Sequence, residues 1–438
     1  LPAPVQMGDA TANFEGVELD WRELPEDQFA AQFQALLDAD RRRGFDLRQP
    51  GLTRVILIRR PEGDRLIWTD HHILTDGWCL PLLIHELNER YVALREHRAP
   101  RLESAPPFAR MIDWLFQQDR REAEQFWRQQ VGDLEAPSRL GSEKPGVNLA
   151  DRTLAAQMQE RERRFTGALT ARCTEFARQM GCTINTVLQT AWAMSLAVIS
   201  GQDDLTFGMV SSGRPEELPG VEKIIGLFIS SAPMRIRLDD AKSAQEAIQA
   251  IAQTGREANR LSFIGLEQIR ALSGVRPPEP LFHSIFAFEN YPVTEYRDRS
   301  GGLRLGDIAS LERADMPLAL VIFPGEGITV RAAFNDRCIE AAGVEQLLEL
   351  YPQAIEGLLD HPERSLSALV DELAQVAYPD RRRGPLALLS AEEQQRILVD
   401  FNADTLPVPT NRTFPELFAE QAARTPDRPA LVYQEDRY

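Results

Sequence analysis

The stretch DRLIWTDHHILTDGW, residues 64–78, decides the fold, because it predicts a strand that ends directly in two histidines. Residues 64–70 have the aromatic and β-branched side chains typical of a strand. Residues 81–97, PLLIHELNERYVALREH, predict a helix with a proline in its first turn. Its apolar stripe comprises Leu83, Leu87, Tyr91 and Leu94. The pattern is therefore strand, short loop and helix, with His71 and His72 in the loop.

The loop carries groups that can take part in acid–base chemistry. A histidine with its ordinary pKa of about 6.5 is mostly neutral at pH 7, so it can orient an attacking amine or accept its proton. Asp76 can hold the loop through an arginine or steer the imidazole, and Gly77 allows a sharp turn. The alternative is structural, a buried histidine beside an aspartate that caps the helix. The three fixed positions of H-x-x-x-D-G do not decide between the two.

Length and composition exclude several classes of protein. A chain of 438 residues predicts two or three domains, and 43% hydrophobic residues can build a large core. The net charge of −17 argues against a nucleic-acid surface and against a basic membrane patch. Four scattered cysteines without a C-x-x-C motif predict free thiols in a reducing, cytoplasmic setting. No apolar run approaches the roughly 20 residues that span a bilayer.

Hydrophobic periodicity predicts two successive αβ lobes. A first helix is expected to end at Gly44. One long helix is expected over residues 110–131, and a short helix over residues 391–401. A segment rich in Gly, Pro and Ser at 132–148 marks an internal boundary, and residues before the first helix read as a loop. The remaining elements are a helix, helix and strand within 165–214, and strands at 52–60, 225–238, 281–292, 318–323 and 328–335.

Two motifs superficially resemble hydrolase sites. GMVSSG, residues 208–213, has the spacing G-x-x-S-x-G, whereas a nucleophile elbow has G-x-S-x-G, so we interpret it as a turn at the end of a strand. HELNE, residues 85–89, lacks the second histidine of H-E-x-x-H. Neither a serine hydrolase nor a metalloprotease is supported.

Several segments, in the same order, resemble the condensation domains of nonribosomal peptide synthetases. The resemblance runs from about residue 15 to residue 375, and a further segment resembles the opening of an adenylation domain. The matching segments are HHILTDGW (71–78), FARMIDWL (108–115), SSGRPEELPGVEKIIGLFISSAPMR (211–235), LFHSIFAFENYPV (281–293) and TFPELFAEQAARTPDRPALVY (413–433).

The resemblance implies an α/β (α+β) fold of two lobes similar to chloramphenicol acetyltransferase, arranged as a V. The first lobe is expected to be incomplete at its N-terminus, starting roughly 100 residues into a domain of ordinary size. The implied division is an N-terminal lobe at 1–135, an inter-lobe linker at 136–148, a C-terminal lobe at 149–379, a linker at 380–412 and the beginning of an adenylation domain at 413–438.

The resemblance also implies an activity. The amine of an acceptor aminoacyl thioester attacks a donor acyl or peptidyl thioester, and upstream and downstream peptidyl carrier domains hold both on phosphopantetheine arms. No intrinsic cofactor, metal, nucleic acid or membrane is expected, and the product belongs to antibiotic or siderophore biosynthesis. His72 is implied as the catalytic residue, with His71, Asp76 and Gly77 supporting or structural. The candidates for lining the substrate tunnel are Trp78, Ser230, Ser231, Glu289 and Asn290.

Three departures from the family pattern concern the site. The arginine that pairs with Asp76 is expected from N-terminal motifs that this chain lacks, and Arg214 is the substitute candidate. Ser230 and Ser231 stand where the family favours Asn-Thr. Residues 262–270, SFIGLEQIR, replace the family's H-T-P-L pattern, and we interpret them as packing residues.

Three other functions remain open. An epimerisation domain shares the fold and the paired histidines, but Trp78 follows Gly77 directly here, which favours condensation. A catalytically silent scaffold that docks carriers tends to lose the active histidine, and this chain keeps His72. A free-standing acyltransferase acting on small alcohols is disfavoured by the adenylation-like segment.

Overall fold

A computed structural model describes residues 14–150, 158–238, 243–289, 302–304, 306, 316–378, 396, 413–426, 432–433 and 436–437. The chain forms two compact units, Leu1–Pro379 and Asp380–Tyr438. The first unit combines helices with a three-stranded and a six-stranded sheet. The predicted mixed α/β class is therefore confirmed, whereas the predicted lobe and linker boundaries remain predictions.

The three-stranded sheet comes first along the chain. Its strands are β1 (Glu15–Asp20), β2 (Thr53–Arg59) and β3 (Arg65–Asp70), in the order β1-β2-β3. β1 runs parallel to β2, and β3 pairs with β2 in antiparallel register. The reading of all residues before the first helix as a loop is wrong, because β1 gains a partner from a distant strand that local sequence does not reveal. Helix α1 (Glu26–Arg43) ends at Gly44 as predicted.

Three helices follow: α2 (Cys79–Arg95), α3 (Ala109–Phe116) and α4 (Arg120–Val131). The prediction of one long helix over 110–131 is wrong. The Asp119 side chain accepts a hydrogen bond from the backbone N–H of Arg121 at 2.9 Å and begins a new helix there. An aspartate at this position satisfies a backbone donor that a helix start would otherwise leave open.

The predicted apolar stripe of α2 lies largely at the surface of the described structure. Leu87, Tyr91 and Leu94 are 37%, 39% and 77% exposed. The side-chain amide oxygen of Asn88, on the same helix, accepts a hydrogen bond from the backbone N–H of Leu303 at 2.8 Å. Leu303, which lies between two strands of the second sheet in the chain, is thereby bound to α2.

The six-stranded sheet has the order β4-β9-β8-β7-β5-β6. Only the neighbours β5–β7 and β7–β8 are parallel within it, and the other three pairs are antiparallel. The elements of this region are β4 (Met158–Arg164), α5 (Gly167–Met180), α6 (Ile184–Ser200), β5 (Asp204–Ser211), β6 (Ser230–Arg237), α7 (Ala244–Arg260), α8 (Leu266–Ala271), β7 (Ser284–Phe288), β8 (Leu318–Phe323), β9 (Thr329–Asn335), α9 (Ala341–Asp360) and α10 (Leu366–Ala377).

The main hydrophobic core lies between this sheet and its helices. Helix α6 is buried on all sides because every residue from Thr186 to Ser200 is shielded from solvent. α4 joins the same core through Trp127, whose indole N–H donates to the carbonyl of Leu261 at 2.9 Å. α4 therefore packs with elements beyond the predicted boundary at residue 135.

The predicted inter-lobe linker at 136–148 packs against the same region. The Ser138 hydroxyl bonds the carbonyl of Asp204 at 3.2 Å and accepts from the N–H of Thr206 at 2.6 Å. The Lys144 N–H donates to the carbonyl of Cys338 at 2.9 Å. These hydrogen bonds fix the segment to the rest of the first unit, so it is not a freely exposed loop.

The second unit contains α11 (Phe414–Arg424), which begins with a capping box between Thr413 and Glu416, and short antiparallel strands β10 (Val432–Tyr433) and β11 (Asp436–Arg437). The predicted helix at 391–401 lies outside the described residues, apart from Arg396. Among the helices that the structure describes, none alone is long and apolar enough to cross a membrane. The bent pair α5 and α6 meets that test only jointly.

Candidate active site

The paired histidines lie in the loop between the end of β3 at Asp70 and the start of α2 at Cys79. His71 is half-buried, and its ring nitrogen Nδ1 accepts a hydrogen bond from the backbone N–H of Ile73 at 3.1 Å. In the neutral ring the proton must then be on Nε2. The backbone N–H of His71 also bonds the carbonyl of Leu52 at 3.0 Å. His71 therefore fixes the first turn of the loop.

A second layer of side chains supports the His71 ring. Phe45 meets it edge to face, with ring centroids 6.1 Å apart. The guanidinium of Arg54 lies 4.1 Å from the centre of the Phe45 ring and donates to the Asp40 carboxylate at 2.8 Å. Burial raises the pKa of Asp40, but hydrogen bonds from Arg54 and Thr69 outweigh it and leave that pKa below its usual value. A buried ion pair thus anchors the end of α1 behind the loop.

His72 differs from its neighbour because its side chain is exposed. The loop that carries it is closed by a hydrogen bond from the Thr75 hydroxyl to the Asp70 carboxylate. A backbone bond from Leu74 to the carbonyl of His71 adds to this closure at 3.0 Å. His72 is therefore held on an ordered turn while its ring remains open to solvent and to a ligand.

The Asp76 carboxylate is buried and spans two distant parts of the chain. Oδ1 accepts a hydrogen bond from Arg214 Nη2 at 3.1 Å, and Oδ2 accepts one from the backbone N–H of Phe228 at 3.0 Å. The expectation that the arginine partner comes from motifs before this chain is wrong. Arg214, the substitute candidate, forms the ion pair, because the turn after β5 brings its guanidinium to the histidine loop.

Arg214 organises the segment 212–229, which connects β5 to β6. Its Nη1 donates to the carbonyls of Val221 and Ile224 at 2.6 and 2.9 Å, and its guanidinium lies 4.1 Å from the centre of the Phe228 ring. The turn at 212–213 confirms that GMVSSG ends a strand, with Gly213 in the left-handed region at φ +61°. One guanidinium thus joins the histidine loop to this segment.

Cys79, the first residue of α2, adds contacts that the sequence analysis missed. Its fully buried sulfur lies 3.3 Å from Asp76 Oδ1, 3.3 Å from the Gly226 carbonyl oxygen, 3.4 Å from the Gly226 nitrogen and 3.5 Å from Arg214 Nη2. Burial is the largest cause that raises the pKa of this thiol. The sulfur therefore stays protonated at neutral pH and can donate one hydrogen bond.

A small hydrophobic core holds the segment 212–229 against α3. Its buried members are Met111 of α3 and Leu218, Val221, Ile224 and Phe228 of the segment. The Phe108 ring, just before α3, meets the Phe228 ring edge to face at 5.2 Å. The motif FARMIDWL and the segment that ends in IGLF therefore pack on each other, although they are far apart in the sequence.

The predicted tunnel residues occupy different positions. Trp78 is half-buried in the turn before α2, and Ser230 and Ser231 begin β6, two and three residues after Phe228. The Ser230 hydroxyl donates to that of Ser262 at 3.1 Å, and Glu289 follows β7 with its N–H bonded to the carbonyl of Ile322. Asn290 lies outside the described residues. The tunnel role of these residues remains a prediction.

The chemistry that the described residues can perform is proton transfer and hydrogen bonding. Within the described ranges no group of three or more His, Cys, Asp or Glu side chains could hold a metal ion. The free thiols Cys79, Cys173 and Cys338 are buried, and Cys182 is partly buried. His72 is the exposed, titratable group of the loop, and a buried ion pair keeps that loop in place.

The described residues form a mixed α/β fold with paired histidines in an ordered loop between β3 and α2. The model of the family described as "Condensation domain" matches residues 2–374. The chain therefore belongs to the condensation-domain family, whose members form amide bonds in nonribosomal peptide synthesis.

Curated relatives agree with this assignment. The chain is 33% identical over 431 residues to one of the linear gramicidin synthase proteins of Brevibacillus parabrevis, covering 98% of this chain and 5% of that protein. It is 33% identical over 410 residues to bacitracin synthase 1 of Bacillus licheniformis, covering 92% and 7%. The chain thus spans a small part of the length of these synthases.

Solved structures share the fold. The X-domain from teicoplanin biosynthesis has a TM-score of 0.67 at 20% identity and covers 83% of this chain and 82% of its own. The first condensation domain of the calcium-dependent antibiotic synthetase, in complex with a substrate analogue, has a TM-score of 0.61 at 18% identity, with coverages of 83% and 81%. An epimerization domain of tyrocidine synthetase B reaches 0.62 at 16% identity, with coverages of 80% and 80%.

Proposed function

We propose that this chain forms a peptide bond between two thioesters, with His72 as the catalytic residue. The amine nitrogen of an acceptor aminoacyl thioester attacks the donor carbonyl carbon, a C–N bond forms and the C–S bond breaks. The proton lost from the nitrogen passes through His72 to the departing thiolate, which leaves as a thiol. The observation that carries this proposal is the exposed His72 ring on a loop fixed by the buried Asp76–Arg214 pair.

The other residues of the loop are proposed only to hold His72 in position, without contacting the substrate. His71 uses Nδ1 to accept the Ile73 N–H, so it orders the turn. Asp76 is sealed from solvent by Arg214 and the Phe228 N–H, which leaves it unable to reach a substrate. His72 is therefore proposed to react with the substrate, whereas His71 and Asp76 keep the loop in place. Such preorganisation lowers the barrier because the reacting groups need not be reoriented.

The partners and setting follow from the family. Upstream and downstream peptidyl carrier domains are proposed to deliver donor and acceptor on phosphopantetheine arms, so that the chain itself needs no cofactor. The segment 413–438 is proposed to open an adenylation domain in the same polypeptide. Since the synthases that match the chain make peptide antibiotics by name, a cytoplasmic synthetase of an antibiotic-like peptide is the expected context.

Amide formation can be tested with two separately expressed peptidyl carrier domains. Each is loaded from a panel of acyl- and aminoacyl-coenzyme A thioesters, and the acceptor carrier is analysed by intact-protein mass spectrometry. The wild-type chain is expected to yield the mass of a condensed product for at least one pair. His72→Ala is expected to lower its rate by about 100-fold or more, the usual contribution of a general base.

His85→Ala is the matched control, because His85 is an exposed histidine on α2, outside the loop. It is expected to leave the rate unchanged. Carrier binding is measured separately by titration calorimetry and should be the same in the His72→Ala variant. A wild-type chain that binds both carriers but joins no pair in the panel would instead identify a carrier-docking scaffold. An α-carbon inversion in the loaded aminoacyl group would identify an epimerase.

A further inference from the structure

We propose that Cys79 is a positioning residue for the reaction, which fixes the distance between the histidine loop and the segment that enters β6. The inference rests on the proposed function of His72. It starts from the four polar atoms around the Cys79 sulfur, which belong to Asp76, Arg214 and Gly226. These atoms come from the histidine loop and from the segment 212–229, and the sulfur lies where the two meet.

Besides the hydrophobic cluster on α3, the segment 221–228 is held by side chains that bind its backbone. Arg214 binds the carbonyls of Val221 and Ile224, and Asp76 binds the N–H of Phe228. Cys79 holds the residue between them, since its sulfur accepts from the Gly226 N–H and lies within bonding distance of the Gly226 carbonyl. Three side chains thus bind five backbone groups, and the thiol holds the middle two.

Gly226 is also closely packed against the Phe108 ring. A Cβ atom added there would lie 2.1 Å from that ring, so a larger residue would overlap it. The Gly226 backbone is therefore bound by the Cys79 sulfur and closely packed against an aromatic ring. Ser230 and Ser231 begin β6 just four and five residues further on.

The protonation state of the thiol suits this role. As a neutral thiol, Cys79 has one proton to donate, either to Asp76 Oδ1 or to the Gly226 carbonyl, and lone pairs to accept from Gly226 and Arg214. A serine hydroxyl has the same donor and acceptor capacity, whereas an alanine has neither. The hydrogen bonding of the sulfur, and not its reactivity, is what the site uses.

The test compares Cys79→Ala with Cys79→Ser in the full chain. The first readout is independent of activity: the ¹H–¹³C resonance of the His72 ring in protein labelled with ¹³C-histidine, assigned with His72→Gln. Cys79→Ala is expected to shift or broaden this resonance, and Cys79→Ser to restore it. The second readout is kcat and KM for the carrier pair that the wild type condenses. Cys79→Ala is expected to lower kcat by about tenfold or more with little change in KM, because misplacement affects the reacting geometry.

Cys173 provides matched control variants. It is also fully buried, and burial raises its pKa to about 11, but it lies in the main core on α5. Cys173→Ala is expected to lower the melting temperature while leaving kcat and the His72 resonance unchanged at temperatures well below melting. This control separates a general loss of stability from a local loss of position.

The outcomes distinguish the two proposals. An unchanged His72 resonance and an unchanged kcat in Cys79→Ala would overturn the positioning role. A folded Cys79→Ser variant with a lower kcat and a displaced His72 resonance relative to the wild type would overturn it too, and this outcome can be judged even if the alanine variant does not fold. Full activity in His72→Ala would overturn the proposed function alone, since the dependence of the resonance on Cys79 would still stand.

Discussion

The Asp76 carboxylate is the buried charge on which the histidine loop depends, and its removal should cost stability before it affects chemistry. Asp76→Ala leaves the Arg214 side chain, which is only 7% exposed, without its anionic partner Asp76. Loss of one member of a buried pair typically costs about 3–5 kcal/mol. We expect a decrease of that size in the free energy of unfolding, measured by urea denaturation.

Asp113→Ala is the control at this scale, because Asp113 is exposed on α3 and its loss should change the stability by less than about 0.5 kcal/mol. An Asp76→Ala variant that unfolds like the wild type yet forms no amide would contradict the structural role. It would place the carboxylate in the reaction itself.

Single residues differ in how far the sequence reveals them. His72, Asp76 and Gly77 are close together in the chain, so a short motif identifies them. Arg214 is 138 positions from Asp76, and only folding of the turn after β5 brings the two together. Cys79 looks like one of four scattered thiols, because its role depends on Gly226, which is 147 positions away. Long-range pairs of this kind have no periodic pattern that a sequence could show.

At the scale of elements, the segment 212–229 is the part most sensitive to small changes of backbone. Gly213 has φ +61°, and a Cβ atom there would lie 1.7 Å from the carbonyl oxygen of Phe228. Gly213→Ala should therefore displace the Phe228 backbone, whose N–H binds Asp76. We expect a lower free energy of unfolding and a slower condensation reaction.

Gly181→Ala isolates the steric part of this effect. Gly181 ends α5 with a similar φ of +66°, but nothing lies within 4 Å of its added Cβ. Both variants should lose about 1–2 kcal/mol from the left-handed backbone. Gly213→Ala should lose about 1–3 kcal/mol more, because the atoms overlap. Equal losses from the two variants, with normal activity in both, would show that the segment can relax freely.

The elements were predictable where local patterns alone determine them. Strand β8 occupies 318–323 as predicted, and α1 ends at Gly44, because a run of apolar residues and a glycine are local signals. The split between α3 and α4 was missed, since residues 117–119 contain no proline or glycine that would mark a break before the cap at Asp119. The strand predicted at 225–238 begins only at Ser230, because Arg214, Asp76 and Cys79 hold the preceding residues.

At the scale of the whole molecule, the six-stranded sheet contains a buried histidine that should make stability depend on pH. His283 directly precedes β7, which lies between β8 and β5 inside the sheet. Its Nδ1 is buried and has no hydrogen-bond partner among the described residues, and Nε2 lies 3.6 Å from Glu279. Burial lowers the pKa of His283 and outweighs the opposite effect of the charges on Glu279 and Glu143.

A histidine whose pKa is lower in the folded state binds its proton more readily in the unfolded chain. The folded state is therefore favoured fully above the unfolded pKa of about 6.5, and this stability is lost as the pH falls below that value. We expect the melting temperature to fall between pH 7.5 and pH 5.5. In His283→Gln, which cannot take up a proton, this decrease should be smaller, as scanning calorimetry at several pH values can measure.

His361→Gln is the control, because its side chain is 51% exposed at the end of α9. All three proteins have the same carboxylates, and each variant removes one imidazole, so the difference between their pH profiles reports on that imidazole. If His283→Gln and His361→Gln have the same pH profile as the wild type, then protonation of His283 does not oppose the packing of the central strands. The pH dependence would then have to come from groups at the surface.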